Sequence, residues 1–151
     1  MNRRNVLTML GGSMSVVLLP LHAAVTQEEV GVAIRKEYGE RPLRRGRISL
    51  KLPKLAESGN SVPLTVTVQS AMSGADRVLR ASILANRNPR PLIATVYFGP
   101  HAGRATFTTN IRLSGTQDVI AVAEMDDHSL WTSAARVLVT VGACDAMQTR
   151  Y

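Results

Sequence analysis

At 151 residues and 45% hydrophobic, with a mean hydropathy of +0.03, the chain has the length of one domain and an ordinary core, which excludes bulk disorder. Aromatic residues make up only 4%, so burial rests mainly on Val, Leu, Ile and Ala. The single cysteine, Cys144, excludes an internal disulfide, a four-thiolate zinc site and an iron–sulfur cluster held by this chain alone.

Arg3 and Arg4 stand immediately before the apolar run 6–21, and Ala23 and Ala24 supply small residues for cleavage. Residues 1–24 therefore read as an export signal peptide of the twin-arginine type. The run is ~16 residues, short of the ~20 that cross a hydrocarbon core, so a cleaved, periplasmic chain is expected rather than a stable membrane insertion. Without Arg3 and Arg4 the 18 Lys and Arg fall to 16 against 11 acidic residues, leaving a mature charge of +5. Much of that excess lies in Arg41, Arg44, Arg45 and Arg47, followed by Lys51 and Lys54. The cluster has no aromatics for base stacking and reads as a solvated face or a partner contact, not as a nucleic-acid site.

Residues 25–46 are expected to hold a short helix and a basic linker. Thr26 suits an N-cap, Glu28 and Glu29 suit the first turn, and Val30, Ile34 and Tyr38 recur at helical spacing before Gly39 stops the helix. From Arg47 the period changes to two. Ile48, Leu50 and Leu52 alternate with polar residues, then Val62, Leu64, Val66 and Val68 do the same. Further strands are predicted over 77–86, 92–98, 104–113, 118–125 and 130–141, separated by turn-forming residues.

About seven short strands in this span predict an all-β, immunoglobulin-like antiparallel sandwich over 47–141 with a short N-terminal helix. In the last strand Trp131, Ser133, Ala135, Val137, Val139 and Val141 share one face, opposite Thr132, Arg136 and Thr140. Gly142 then releases the chain, so residues 142–151 form a C-terminal arm and Cys144 lies outside the core. The three steps from Val141 to Cys144 span at most ~10 Å. Asp145 beside the thiol disfavours the thiolate, and Arg150 would offset it if the tail folds back.

Asn88-Pro89, Phe98-Gly99-Pro100, Gly103-Arg104-Ala105, Ile111-Arg112-Leu113, Gln117, Ala123-Glu124-Met125, Trp131 and the closing Val139-Thr140-Val141-Gly142-Ala143-Cys144 together resemble the SoxY sulfur-carrier proteins of bacterial thiosulfate oxidation. The resemblance runs over nearly the whole chain, leader included. It implies a non-enzymatic periplasmic carrier that holds sulfur intermediates covalently on Cys144, with no other cofactor. It also implies a heterodimer with a SoxZ-like subunit and service to the Sox enzymes that load and process the carrier. In the family the cysteine sits in a Gly-Gly-Cys-Gly-Gly tail. Here Gly142 matches the first glycine, while Ala143, Asp145 and Ala146 stand at the other three positions.

Other readings of the same residues are blander. An isolated tail cysteine is ordinarily inert or forms an intermolecular disulfide, and on that reading the chain is an immunoglobulin-like periplasmic binding or assembly module. Met125, Asp126, His101 and His128 with Cys144 make a poor copper set, because no histidine follows the cysteine. Trp131 reads as a core anchor, and Asp126-Asp127 as turn chemistry whose carboxylates point apart.

Overall fold

The computed structural model describes residues 27–143. Its helix, α1 (Gln27–Tyr38), carries Glu28 and Glu29 in the first turn and Arg35 and Lys36 in the last, the arrangement that complements the helix dipole. Gly39 closes it: its N–H bonds the carbonyl of Arg35 at 2.8 Å, at a φ of 75° that glycine adopts without penalty. The apolar stripe Val30, Ile34 and Tyr38 is buried against Leu84, Val122 and Leu130. Each such side chain contributes ~1.5–3 kcal/mol of burial. The proposed N-cap, Thr26, lies outside the described residues.

Among the described residues nine strands follow, β1 (Leu43–Arg45), β2 (Ile48–Lys51), β3 (Leu55–Ser58), β4 (Val62–Val68), β5 (Val78–Ala85), β6 (Leu92–Tyr97), β7 (Ala105–Ile111), β8 (Gln117–Met125) and β9 (Leu130–Val141). The larger sheet runs β1-β9-β8-β5-β6 with β3 also on β9, and the smaller runs β2-β4-β7. The seven predicted strands are β2 and β4 to β9, and their mutual pairings are antiparallel.

Two short strands were not expected. β1 pairs with the start of β9 and β3 with its end, both parallel. β1 is exposed throughout and β3 buries only Ala56, so neither shows the alternation that reveals a strand.

The sandwich interior packs Val62, Leu64 and Val66 of the small sheet against Ile83, Ala121, Ala123 and Val137 of the large one. The helix covers the large sheet's other face, so β5 and β8 are buried on both sides and Leu84 and Val122 belong to the helix layer. A bulge between Val78 and Arg80 shifts the β5/β8 register and sets Arg80 opposite Glu124. No described helix is long and apolar enough to cross a membrane.

Candidate functional site

β9 runs through the whole large sheet, with Trp131 near its start and the cysteine-bearing tail beyond its end. Val137 and Val139 face the core as predicted, Val141 is exposed, and Gly142 is buried. The strand ends at Val141, but the chain is not free there. The Gly59 N–H bonds the Val141 carbonyl at 2.7 Å, the Leu113 N–H bonds the Gly59 carbonyl at 2.8 Å, and the Ala143 N–H bonds the Leu113 carbonyl at 3.0 Å.

The expected release at Gly142 is therefore corrected: Gly142 is buried and the chain is still held one residue later. A backbone bond still anchors Ala143, because the loop after β7 lies beside it. Cys144 is the next residue along the chain, one Cα step of ~3.8 Å from that anchor. Cys144, Asp145, Ala146 and Arg150, like the export residues Arg3 and Arg4, lie outside the described residues. Of the arm, Gly142 and Ala143 are described. Around its root the surface is partly apolar: Leu55 of β3 and Leu138 of β9 are cross-strand partners and both exposed.

The start of β9 is built differently. Glu124, nearly buried, accepts from Arg41 Nη1 at 2.7 Å and from Arg80 Nε at 2.7 Å. Arg80 also reaches the Glu37 carboxylate at 2.8 Å and lies 4.4 Å over the Tyr38 ring. Tyr38 donates its hydroxyl proton to Ser82 Oγ at 2.7 Å. Burial raises the Glu124 pKa, but the bonds from Arg41 and Arg80 outweigh it and hold the carboxyl below its ordinary value. Burial pushes the Tyr38 phenol up. These groups bind α1 to the sheet. The signal for them was a carboxylate between two apolar residues near the end of a strand, Ala123-Glu124-Met125, which as a buried charge requires partners.

The basic run 41–47, read as a solvated face or partner contact, is partly used inside the molecule. Arg41 holds Glu124, Arg47 pairs with Asp76, and Arg44 and Arg47 lie 5.9 and 4.9 Å from the Trp131 ring centroid. Trp131 is half-buried against the core, as expected of an anchor, and donates its indole N–H to Ser129 Oγ at 3.2 Å. Asp126 and Asp127 turn to separate partners, Arg77 at 3.4 Å and the Ser129 N–H at 2.9 Å. His101 and His128 are exposed in different turns while Met125 is buried, and among the described residues no three His, Cys, Asp or Glu side chains gather into a metal-holding group.

Comparison with known proteins places this architecture. No curated protein matches the chain. Among solved structures, the sulfur carrier protein SoxY from Chlorobium limicola f thiosulfatophilum superposes with a TM-score of 0.66 at 23% identity, covering 77% of this chain and 100% of its own. The superoxide reductase (neelaredoxin) from Ignicoccus hospitalis gives 0.54 at 18% identity, covering 76% of this chain and 93% of its own. The superoxide reductase from Nanoarchaeum equitans gives 0.54 at 13% identity, covering 64% and 100%. At these identities the likeness is one of fold. The family model for the sulfur oxidation protein SoxY matches residues 34–144, from the buried face of α1 through the sandwich to the cysteine, and the chain belongs to the SoxY family.

Proposed function

We propose that this protein is a sulfur carrier that holds sulfur intermediates covalently on the thiol of Cys144 and presents them to partner enzymes. The observation that carries this reading is the place of the chain's only thiol. It is the residue after Ala143, which is still tied to the sandwich, and the family match ends on it.

The chemistry follows from one sulfur on a short tether. Joining the Cys144 thiolate to the terminal sulfur of an oxidisable sulfur anion such as thiosulfate forms one S–S bond and releases two electrons, which a redox-active partner protein must accept. Removing the cargo in turn needs a partner that attacks or oxidises the outer sulfur. The chain acts as a substrate handle rather than as an enzyme, and small residues at Gly142, Ala143 and Ala146 keep the handle slim.

The same reading includes export by the Arg3-Arg4 signal to the periplasm and pairing with a SoxZ-like subunit. Pairing would cover the open sheet edges, of which β6, with Tyr97 69% exposed, is one.

The test is the intact mass of the chain isolated from native cells grown on thiosulfate. A sulfur-containing adduct is expected on the wild type, on a chain that begins after about residue 24, and no adduct is expected on Cys144→Ser. An adduct surviving in Cys144→Ser, or an unmodified wild type, would remove the carrier assignment.

A further inference from the structure

Three residues of the SoxY-like motifs, Asn88, Leu113 and Gln117, have no part in the chemistry above. In the fold they meet at one place, the root of the arm beside Ala143. Asn88 bridges the turn after β5 to the loop between β7 and β8. Its Nδ2 donates to the Arg112 carbonyl at 2.8 Å, and its Oδ1 accepts from the Ser114 N–H at 3.0 Å and from Gln117 Nε2 at 2.9 Å. The Gln117 side chain is buried and its Oε1 accepts from the Arg87 N–H at 2.8 Å. Both sides of Leu113 are thereby fixed, and Leu113 itself is fully buried.

Its two backbone groups then act as a clip. The N–H bonds Gly59 and the carbonyl bonds Ala143. Thr116 of the same loop bonds β9 one turn of the pleat earlier: its Oγ1 accepts from the Val139 N–H at 3.0 Å. Gly59 completes the clip because nothing larger fits. A Cβ there would stand 2.0 Å from the Leu113 carbonyl oxygen and 3.0 Å from the Ala143 nitrogen, so the close approach of three strands of backbone requires glycine.

We infer that Asn88, Gln117 and Gly59 are positioning residues for the thiol: they lock Ala143 to the sandwich and so set the direction and depth at which Cys144 leaves it. This rests on the carrier reading. Without the lock three chain steps, at most ~10 Å, separate Cys144 from the nearest held residue, Val141; with it one step, ~3.8 Å, separates Cys144 from Ala143. A fixed root and a short tip give the thiol a narrow set of approaches to a partner's active site, so less orientational freedom is lost on entry. Loading by a partner should depend on the lock, whereas reaction with a small reagent free in solution should not.

Two variants approach the clip from opposite sides. Asn88→Ala removes the half-exposed turn side chain that braces Leu113, and Gly59→Ala pushes Leu113 away from Ala143. Three measurements on the full mature chain separate positioning from folding: amide hydrogen exchange at Ala143 against Ile83 and Val122, the adduct-bearing fraction in cells grown on thiosulfate, and the alkylation rate of Cys144 by iodoacetamide. The expected result is exchange at Ala143 at least ten-fold faster, Ile83 and Val122 unchanged, a several-fold smaller adduct fraction, and alkylation within two-fold of wild type. Unchanged exchange at Ala143, equal acceleration at Ile83 and Val122, or an undiminished adduct fraction would each overturn the inference. Absence of any adduct on the wild type strikes the carrier reading instead, and the exchange ratio at Ala143 still decides whether the clip exists.

Discussion

The two ends of β9 have different surroundings. Next to its start, charge does the fastening: Arg41 and Arg80 hold Glu124 at the end of β8, Arg80 lies over Tyr38 of α1, and Arg44 and Arg47 stand about the indole of Trp131. Beyond its end, the chain at Val141 and Ala143 is fastened by backbone bonds to Gly59 and Leu113. The first region binds a separate helix to a sheet face, and a buried carboxylate with two guanidiniums fixes its position. On the carrier reading proposed above, the second must leave room for a slim arm that enters partner active sites, where bulky side chains would clash.

The sharpest way to break this comparison is at the thiol itself. Cys144→Ser should abolish covalent loading completely while thermal unfolding and partner binding remain as in the wild type, because serine keeps the side chain's size and removes only the sulfur. A lowered unfolding temperature would mean that the tail contributes to the fold, and the two ends would no longer differ in kind.

At the charged end the effect should fall on stability and spare the thiol. Glu124→Gln leaves Arg41 and Arg80 without their carboxylate at a nearly buried site, a loss of ~3 kcal/mol in denaturant unfolding. The pH dependence has a definite sign. Glu124 titrates in the folded chain below its ordinary value of 4.5, so its contribution is present above that pH and is lost as pH falls through the lower folded value. Wild-type stability should therefore decline below about pH 4.5, and the decline should be shallower in Glu124→Gln. An equally steep acid limb in the variant would assign it to other carboxylates such as Asp76 and Asp127, whose pKa values also lie low, held by the Ala71 N–H and by Ser129.

Tyr38→Phe should cost less, ~1 kcal/mol, since it removes one hydroxyl that donates to Ser82 while Ser82 keeps Thr95. The Tyr38 phenol is raised above its ordinary value of 10.0, so the neutral form's contribution is full below that pH and is lost as pH rises through the higher folded value. Tyr38→Phe should show the shallower alkaline limb.

How much of this was readable beforehand differs between the ends. The alternation Val62, Leu64, Val66, Val68 needs only one buried face to be legible, and β4 lies where it predicts. β5 and β8 read as apolar runs because α1 takes their second face, a fact of packing that no local period expresses. β1 and β3 are too short and exposed to show any period. Cys144 is conspicuous as the one thiol beyond the last strand, whereas its anchorage is invisible: the bonds among Gly59, Leu113 and Ala143 join backbone groups distant in sequence. Asn88 looks like turn chemistry and Gln117 like a lone polar residue ahead of a strand until the fold brings their amides together. The basic run misled in part, because charge counts cannot tell which arginines find buried partners.

The smallest effect lies in the arm, and its sign changes with pH. Asp145 follows the cysteine, and a carboxylate beside a thiol opposes its ionisation. Asp145→Gly should therefore favour the thiolate. Near pH 7 the thiolate fraction rises, but each thiolate is a weaker nucleophile as its basicity falls, so the net alkylation rate by iodoacetamide should rise only about two-fold. In strong alkali, where both proteins are thiolate, only the loss of nucleophilicity remains, so the variant should be the slower of the two. In 1 M salt, where screening acts over about 3 Å, the two rates should converge. A rate at pH 7 that is unchanged or lower in Asp145→Gly would show that the adjacent carboxylate does not restrain the thiol, and the arm's reactivity would then have to be set by groups supplied from a partner's active site.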